Sequence, residues 1–209
     1  MVEGAAGHSS EVLHMAPRGH LDVRVIAGSL KGRLLRYPAD ASIRPTMQRT
    51  KASVFESIGE RIRNSVFVDL YAGAGGIGIE ALSRGAGRVH FVEVHRAALA
   101  SLEANLERCG ADPERAVVHA GRVMDFLASG ALRKIAPEIV YADPPYDSEE
   151  TPLLLEFFDG IDYPLETLLV VEHRRGTAPV ERYGTLSVVR VRRFGESCVS
   201  YIAVGGNGT

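Results

Sequence analysis

Residues 66–82 read Val66-Phe67-Val68-Asp69-Leu70-Tyr71-Ala72-Gly73-Ala74-Gly75-Gly76-Ile77-Gly78-Ile79-Glu80-Ala81-Leu82. An apolar strand runs into Gly73, Gly75 and Gly78, the G-x-G-x-x-G spacing, and then into a helical pattern. Glycines at those positions allow a tight turn, close approach of backbone to ligand, and close packing of helix on strand. A second strand follows, Val89 to Val94, and it carries Glu93 20 positions after Gly73. A carboxylate there can accept both hydroxyls of a ribose. The stretch therefore predicts a βαβ unit holding a nucleoside-bearing cofactor.

Asp69 narrows the cofactor. It sits at the strand end, immediately before the glycine turn, where a dinucleotide would place its pyrophosphate. A carboxylate in that partly dry space would repel phosphates and attract a cation. S-adenosylmethionine offers an ammonium, a sulfonium and a ribose, so it is the expected cofactor, with S-adenosylhomocysteine as product. A helix-capping role for Asp69 would suit either cofactor. The expected binding residues are Asp69, Tyr71, Ala72, Gly73, Ala74, Gly75 and Gly78, with Glu93 and Val94 at the ribose end.

Working outward, residues 143–146 read Asp143-Pro144-Pro145-Tyr146, after the apolar run Ile139-Val140-Tyr141-Ala142. Each proline fixes its own φ and lacks an N–H, and the residue before a proline is pushed to extended geometry. The carbonyls of Asp143 and Pro144 are thus free to accept hydrogen bonds beside the Asp143 carboxylate, which is what an exocyclic NH2 of a nucleobase needs. Tyr146 can stack on the face of that base. A proline-rich turn closing a strand is the plainer alternative.

Composition excludes several classes. In 209 residues, 45% hydrophobic and 24% charged, the chain has the make-up of one soluble α/β domain with a small appendage. No apolar run approaches the ~20 residues of a membrane span. Residues 1–20 lack the apolar core of a signal peptide and are expected to be disordered. Cys109 and Cys198 stand alone, and the histidines are scattered, so neither disulfide framework nor metal site is indicated. Cytoplasmic location follows as an expectation.

Charge is divided unevenly. Residues 21–51 carry Arg24, Lys31, Arg33, Arg36, Arg44, Arg49 and Lys51 against Asp22 and Asp40, a net of +5, whereas residues 52–209 carry 16 basic and 22 acidic residues, a net of −6. A basic segment on an acidic body suggests a polyanion held by that segment. Residues 23–37 read as a hairpin turning near Gly28 and Gly32, followed by a loop to Pro45 and a helix capped by Thr46, with Val54, Phe55 and Ile58 on one face.

Beyond residue 65 the pattern alternates: strands at 66–70, 89–94, 115–119, 138–142 and 167–172, helices at 76–84, 96–108, 122–129 and 149–158, and a closing hairpin over 185–204. Alternation implies a mostly parallel sheet with helices on both faces. The glycine loop and Asp143 then share the carboxyl edge, where open α/β sheets bind ligands. Three segments are expected: 1–20 disordered, 21–45 a basic hairpin and loop docking RNA, and 46–209 the catalytic domain.

The pairing of Asp69-Leu70-Tyr71-Ala72-Gly73-Ala74-Gly75 with Asp143-Pro144-Pro145-Tyr146 resembles the amino-methyltransferases of the Rossmann-like S-adenosylmethionine class. Arg44-Pro45-Thr46 with Arg49, Lys51 and Phe55, then Glu80-Ala81-Leu82-Ser83-Arg84-Gly85 and Val171-Glu172, make the chain similar to the RsmD family over roughly residues 23–204. These are bacterial enzymes that methylate a guanine N2 in 16S ribosomal RNA of the small subunit. The resemblance implies a class I methyltransferase fold with a seven-stranded sheet and an N-terminal hairpin extension. It also implies Asp143, Pro144, Pro145 and Tyr146 as the catalytic set, and Arg122 and Val123 beside the adenine. Arg24, Lys31, Arg33, Arg36, Arg44, Thr46 and Arg49 are the expected RNA contacts. The partner would be 16S rRNA, free or in an assembling subunit, and the chain is expected to act as a monomer without metal or membrane. The chain departs from the family pattern at Gln48 and Ala52, where acids are usual, and at Arg122, where Asp or Asn is common.

Other readings remain open at the level of sequence. A DNA amino-methyltransferase acting on adenine N6 or cytosine N4 would use the same cleft, although the chain lacks a sizeable target-recognition domain. A nicotinamide oxidoreductase would leave Asp143 to Tyr146 without a use. A non-catalytic RNA-binding module would need neither ligand motif.

Overall fold

Alternation of apolar and charged residues decides which side of the N-terminal hairpin meets the body. The computed structural model describes residues 15–16, 20–38, 48–145, 149–162, 166–176 and 182–205. Strand β1 (Met15–Ala16) pairs with β2 (His20–Arg24), and β2 with β3 (Leu34–Pro38), all antiparallel. Val23, Leu35 and Tyr37 are buried, while Arg24, Leu34 and Arg36 are exposed on the outer face, the period-two pattern of a half-covered sheet. Order thus begins earlier than expected, since Met15–Ala16 and His20 are in strands; residues 1–14 and 17–19 lie outside the described residues. So do residues 39–47, including the expected cap Thr46.

Helix α1 (Gln48–Ile58) buries Val54, Phe55 and Ile58 on one face. Then β4 (Val66–Leu70), α2 (Gly76–Ser83), β5 (Arg88–Glu93), α3 (Arg96–Cys109), β6 (Ala116–Ala120), α4 (Val123–Ala128), α5 (Ala131–Ile135), β7 (Ile139–Ala142), α6 (Glu150–Asp159) and β8 (Thr167–Arg174) alternate. The chain closes with β9 (Arg182–Tyr183), β10 (Leu186–Phe194) and β11 (Ser197–Val204), all paired antiparallel. The sheet order is β6-β5-β4-β7-β8-β11-β10-β9, with the first five strands parallel. This is the expected Rossmann-like sheet with one addition, the two-residue edge strand β9, which is too short to carry an alternation. The helix expected over 122–129 is α4, and a further short helix that was not expected, α5, follows it after Gly130 (φ 73°).

Strands covered on both faces are apolar throughout, and two core layers result. Phe67, Phe91, Ile139, Val170 and Tyr201 face the hairpin, α1, α2 and α3. Val68, Val92, Val140, Val171 and Ile202 face α4, α5 and α6. From β4 the chain winds outward to β5 and β6, then crosses to β7 and β8 on the other side. The strand order therefore reverses between β4 and β7, the place where such sheets open a crevice. Among the described residues, no helix is long and apolar enough to cross a membrane.

Candidate active site at the strand switch point

Leu70 pairs with Ala142, so Tyr71 and Asp143 leave neighbouring strand ends side by side. Between them lies a cleft of about 310 Å³, including the part open to solvent, with Tyr37, Asp69, Tyr71, Gly73, Tyr141 and Asp143 in its wall. The glycine loop and the Asp-Pro-Pro segment thus share one site. Tyr71 adopts a left-handed conformation (φ 62°), uncommon for a bulky residue and a mark of a constrained turn. Asp69 accepts the Gly78 N–H at 2.8 Å, tying the strand end to the first turn of α2. A Cβ at Gly78 would stand 2.1 Å from the Phe91 ring, and one at Gly76 1.9 Å from the Tyr37 hydroxyl. Both glycines are required by close approach.

The cleft concentrates negative charge where water is scarce. Burial pushes the Asp69 carboxyl up to about 7; the Gly78 N–H opposes this and Glu93 adds to it. Asp143 is held well above the usual carboxylate range, first by burial, then by Glu172 and Asp69. Among the described residues, neither Asp69 nor Asp143 has an ion-pair partner. A cationic ligand there would stabilise both carboxylates. Tyr37 joins them from the hairpin: burial raises its phenol, Asp69 adds to this, and the Gly76 N–H donates to its oxygen. Tyr141 donates to Glu172 at 3.0 Å. Tyr37 and Tyr141 look like ordinary strand residues in the sequence, and only the fold brings them here.

Glu93 is more engaged than its motif suggests. Its Oε2 accepts the Gly73 N–H at 2.7 Å, and its Oε1 accepts those of Val94 and His95 at 2.7 and 2.8 Å. It clamps the glycine loop to the end of β5, and a carboxylate retains lone pairs for further donors. Gly121 donates to the Glu93 carbonyl at 2.8 Å, which brings Arg122 and Val123, at the start of α4, beside Glu93 and the exposed Val94. Of the loop residues, Tyr71, Ala72 and Gly73 line the cleft. Ala74, Gly75 and Gly78 lie behind its wall: Ala74 is fully buried, Gly75 backs onto Leu102, and Gly78 onto Phe91. Pro144 is buried and Pro145 exposed; Tyr146 lies outside the described residues.

The basic segment divides. The hairpin turn is held at the C-terminal end of α2, where Ser29 donates to the Ser83 carbonyl at 2.8 Å and Leu30 to the Ser83 hydroxyl at 2.9 Å. Tyr37 meets Gly76 at the other end, so Lys31 and Arg33, though exposed, sit away from the cleft. Arg36 is adjacent to it, its backbone held by Asn105 at 2.9 and 3.0 Å. Arg24 and Arg49 are exposed, and Arg44 and Thr46 lie outside the described residues. Lys51 is not a surface cation: it is buried, 3.5 Å from Glu80, and donates to the Arg24 carbonyl at 2.9 Å.

Comparison with known proteins agrees with this geometry. The family model described as Conserved hypothetical protein 95 matches residues 23–203. YlbH of Bacillus subtilis is 34% identical over 174 residues, covering 83% of this chain and 94% of that protein. Ribosomal RNA small subunit methyltransferase D of Escherichia coli K12 is 36% identical over 142 residues, covering 66% of this chain and 69% of its own. The solved structure of yhhF from Escherichia coli superposes with a TM-score of 0.74 at 26% identity, covering 89% of this chain and 99% of that one. With a family model spanning nearly the whole described fold, and relatives named ribosomal RNA small subunit methyltransferase D, the chain belongs to the RsmD family.

Proposed function

We propose that this chain is an S-adenosylmethionine-dependent methyltransferase that modifies the exocyclic N2 of a guanine in 16S ribosomal RNA. One observation carries the reading: Asp69 and Asp143 stand in one cleft, both with raised pKa and neither with a counter-ion among the described residues. The donor set fits a cofactor with a cationic end, and would repel a pyrophosphate. Asp69 would face its ammonium, Glu93 its ribose, and Arg122 and Val123 its adenine. When bound, S-adenosylmethionine supplies a methyl group activated by its sulfonium. The ribosomal target extends the name of the Escherichia coli relative to this chain.

Asp143 and the Pro144 carbonyl accept hydrogen bonds from the target amine, favouring the pyramidal form in which its lone pair is localised. As the amine is alkylated it becomes positive, and the Asp143 carboxylate, preorganised in a dry site, stabilises that charge. A carboxyl with raised pKa is also a competent acceptor for the proton the amine must then release. Tyr146 is proposed to stack on the base, which must be unpaired or flipped to enter. No covalent enzyme intermediate is needed, and neither Cys109 nor Cys198 lines the cleft. The test is incubation of 16S rRNA, 30S particles and DNA with methyl-labelled cofactor, followed by nucleoside analysis. Label in N2-methylguanosine is expected; label confined to DNA adenine or cytosine, or no transfer, would overturn the assignment.

A further inference from the structure

The register of the closing hairpin turns two arginines toward the cleft. Val188 of β10 pairs with Ile202, yet Arg190 pairs with Tyr201, so Val189 is an extra residue, a bulge, and is 61% exposed. Side chains alternate along a strand, and one inserted residue moves everything after it to the opposite face. Without the bulge, residues 190 and 192 would share the face of Val188, which packs against the core layer of α4, α5 and α6. With it, Arg190 stands beside Tyr201 and Val170, and Arg192 beside Val199 and Glu172. That is the face of the cleft, the hairpin and α1. Arg193 opposes Cys198 and His173, and so points to the other side.

Arg192, Val199 and Glu172 form one row across the sheet, and Asp143 continues it past the Ala142–Val171 pair. Three strand spacings separate Arg192 from Asp143, about 14 Å. Both arginines are exposed, and neither has an ion pair among the described residues. Burial raises the Tyr201 phenol; the Ser57 hydroxyl, then Arg192 and Arg190, draw it back, and Glu56 opposes them. Phe194 is half-buried on that face, opposite Ser197. Unpaired guanidiniums beside an aromatic ring form a surface suited to a phosphate backbone.

We propose that β10 is a second RNA-docking flank, with Arg190 and Arg192 taking backbone phosphates on the side of the cleft opposite Arg36. The proposal rests on the reading of the cleft as an RNA methyltransferase site. It gives the RNA two anchors with the target base between them, and it assigns the bulge at Val189 the task of aiming one anchor. The partner is RNA, because the flank presents two exposed cations and an aromatic ring on the same face as a cleft read as an RNA methyltransferase site.

The test measures affinity for 16S rRNA and 30S particles across a salt series for the parent chain, for Arg190→Ala/Arg192→Ala, and for Arg193→Ala. The double variant should bind more weakly, its slope of log K against log salt flattened by about 0.7–0.9 per arginine removed. Arg193→Ala should match the parent, and all three should bind S-adenosylhomocysteine and melt alike. A double variant with the parent's slope, or an Arg193→Ala variant that loses as much, would overturn the flank while leaving the methyltransferase reading intact. A parent chain whose RNA binding is indifferent to salt would overturn both.

Discussion

At Asp143 a single atom separates the mechanistic role from a structural one. Asp143→Asn keeps an oxygen to accept from the amine but brings no charge for the developing cation and no site for its proton. Turnover should fall by at least ~100-fold, the scale of losing one preorganised electrostatic contact, with cofactor affinity and melting temperature nearly unchanged. Single-turnover methylation measured beside thermal melts checks this, and a stable Asn variant with near-normal rate would sink the mechanism. Asp69 makes a different prediction. Its carboxyl titrates near 3.8 when exposed and about 7 in the folded chain, so the folded state holds the proton more tightly. The fold is therefore more stable below about pH 3.8 than above pH 7 by about 4 kcal/mol from this group, an advantage lost as pH rises through 7. A cation bound beside Asp69 lowers its pKa again. Binding of S-adenosylhomocysteine should therefore release protons near pH 7 and tighten between pH 6 and 8, and Asp69→Asn should flatten that dependence. Calorimetry in two buffers of different ionisation enthalpy reads the proton count. Asp69, Glu93 and Asp143 were legible in the sequence because each stands at a fixed offset from a glycine or proline signature. Tyr37 and Tyr141 were not, because what brings them to the cleft is the docking of a hairpin and the order of strands.

Between elements, Glu80 fastens the N-terminal hairpin to the catalytic body. Fully buried on α2, it accepts the Ile26 and Ala27 N–H groups at 2.7 and 3.0 Å, pairs with Lys51 of α1 at 3.5 Å, and takes Arg84 at 2.8 Å. Arg84 in turn lies over the Phe55 ring, 4.8 Å from its centre. Burial lowers the Lys51 pKa and Glu80 supports it. Glu80→Ala should thus leave a buried cation and two backbone donors unmatched, at a cost of about 3–5 kcal/mol. Denaturant titration measures the loss, and hydrogen exchange should show it first at the hairpin; a variant as stable as the parent would mean that the network contributes nothing net. The same geometry sorts the hairpin's cations. Arg36→Ala should flatten the salt dependence of RNA binding by about 0.7–0.9, whereas Arg24→Ala, whose guanidinium donates to the Gly32 carbonyl at 3.3 Å, and Lys31→Ala and Arg33→Ala, all at the turn end of the hairpin beside the far end of α2, should do less. Equal effects at all four would place the RNA along the whole hairpin. Sequence periodicity located the hairpin but not its direction along α2, which hydrogen bonds to Ser83 and packing against Gly76 decide. It also counted Lys51 into the net charge of the basic segment, because a buried, paired lysine carries the same letter as an exposed one.

Across the whole molecule, function follows from where the winding of the sheet reverses. Alternating strands and helices with right-handed crossovers make a parallel sheet accessible to reasoning from sequence, and with it the meeting of Asp69 and Asp143 at one carboxyl edge; the order of the strands is what the structure adds. The antiparallel end of the sheet resisted that reasoning. A strand of two residues carries no pattern, and the Val189 bulge reverses the face of every residue after it without changing the composition of the stretch. The last prediction belongs to this scale. Two carboxylates confined, among the described residues, without a counter-ion weaken the ligand-free fold, so a ligand that supplies the cation should stabilise the entire chain. At one hundred times its dissociation constant, S-adenosylhomocysteine should contribute about 2.7 kcal/mol, and melting should rise by roughly 5–10 °C for a domain of this size. NAD at the same concentration would bring a pyrophosphate against Asp69 and should leave the melt unmoved. The rise, at a fixed ligand concentration, should be larger at pH 8 than at pH 6, since only the ionised cleft needs the cation. Thermal shift with both ligands at both pH values tests the whole chain of cause: equal shifts for the two ligands, or a shift that shrinks as pH rises, would mean that the switch-point carboxylates do not select the cofactor.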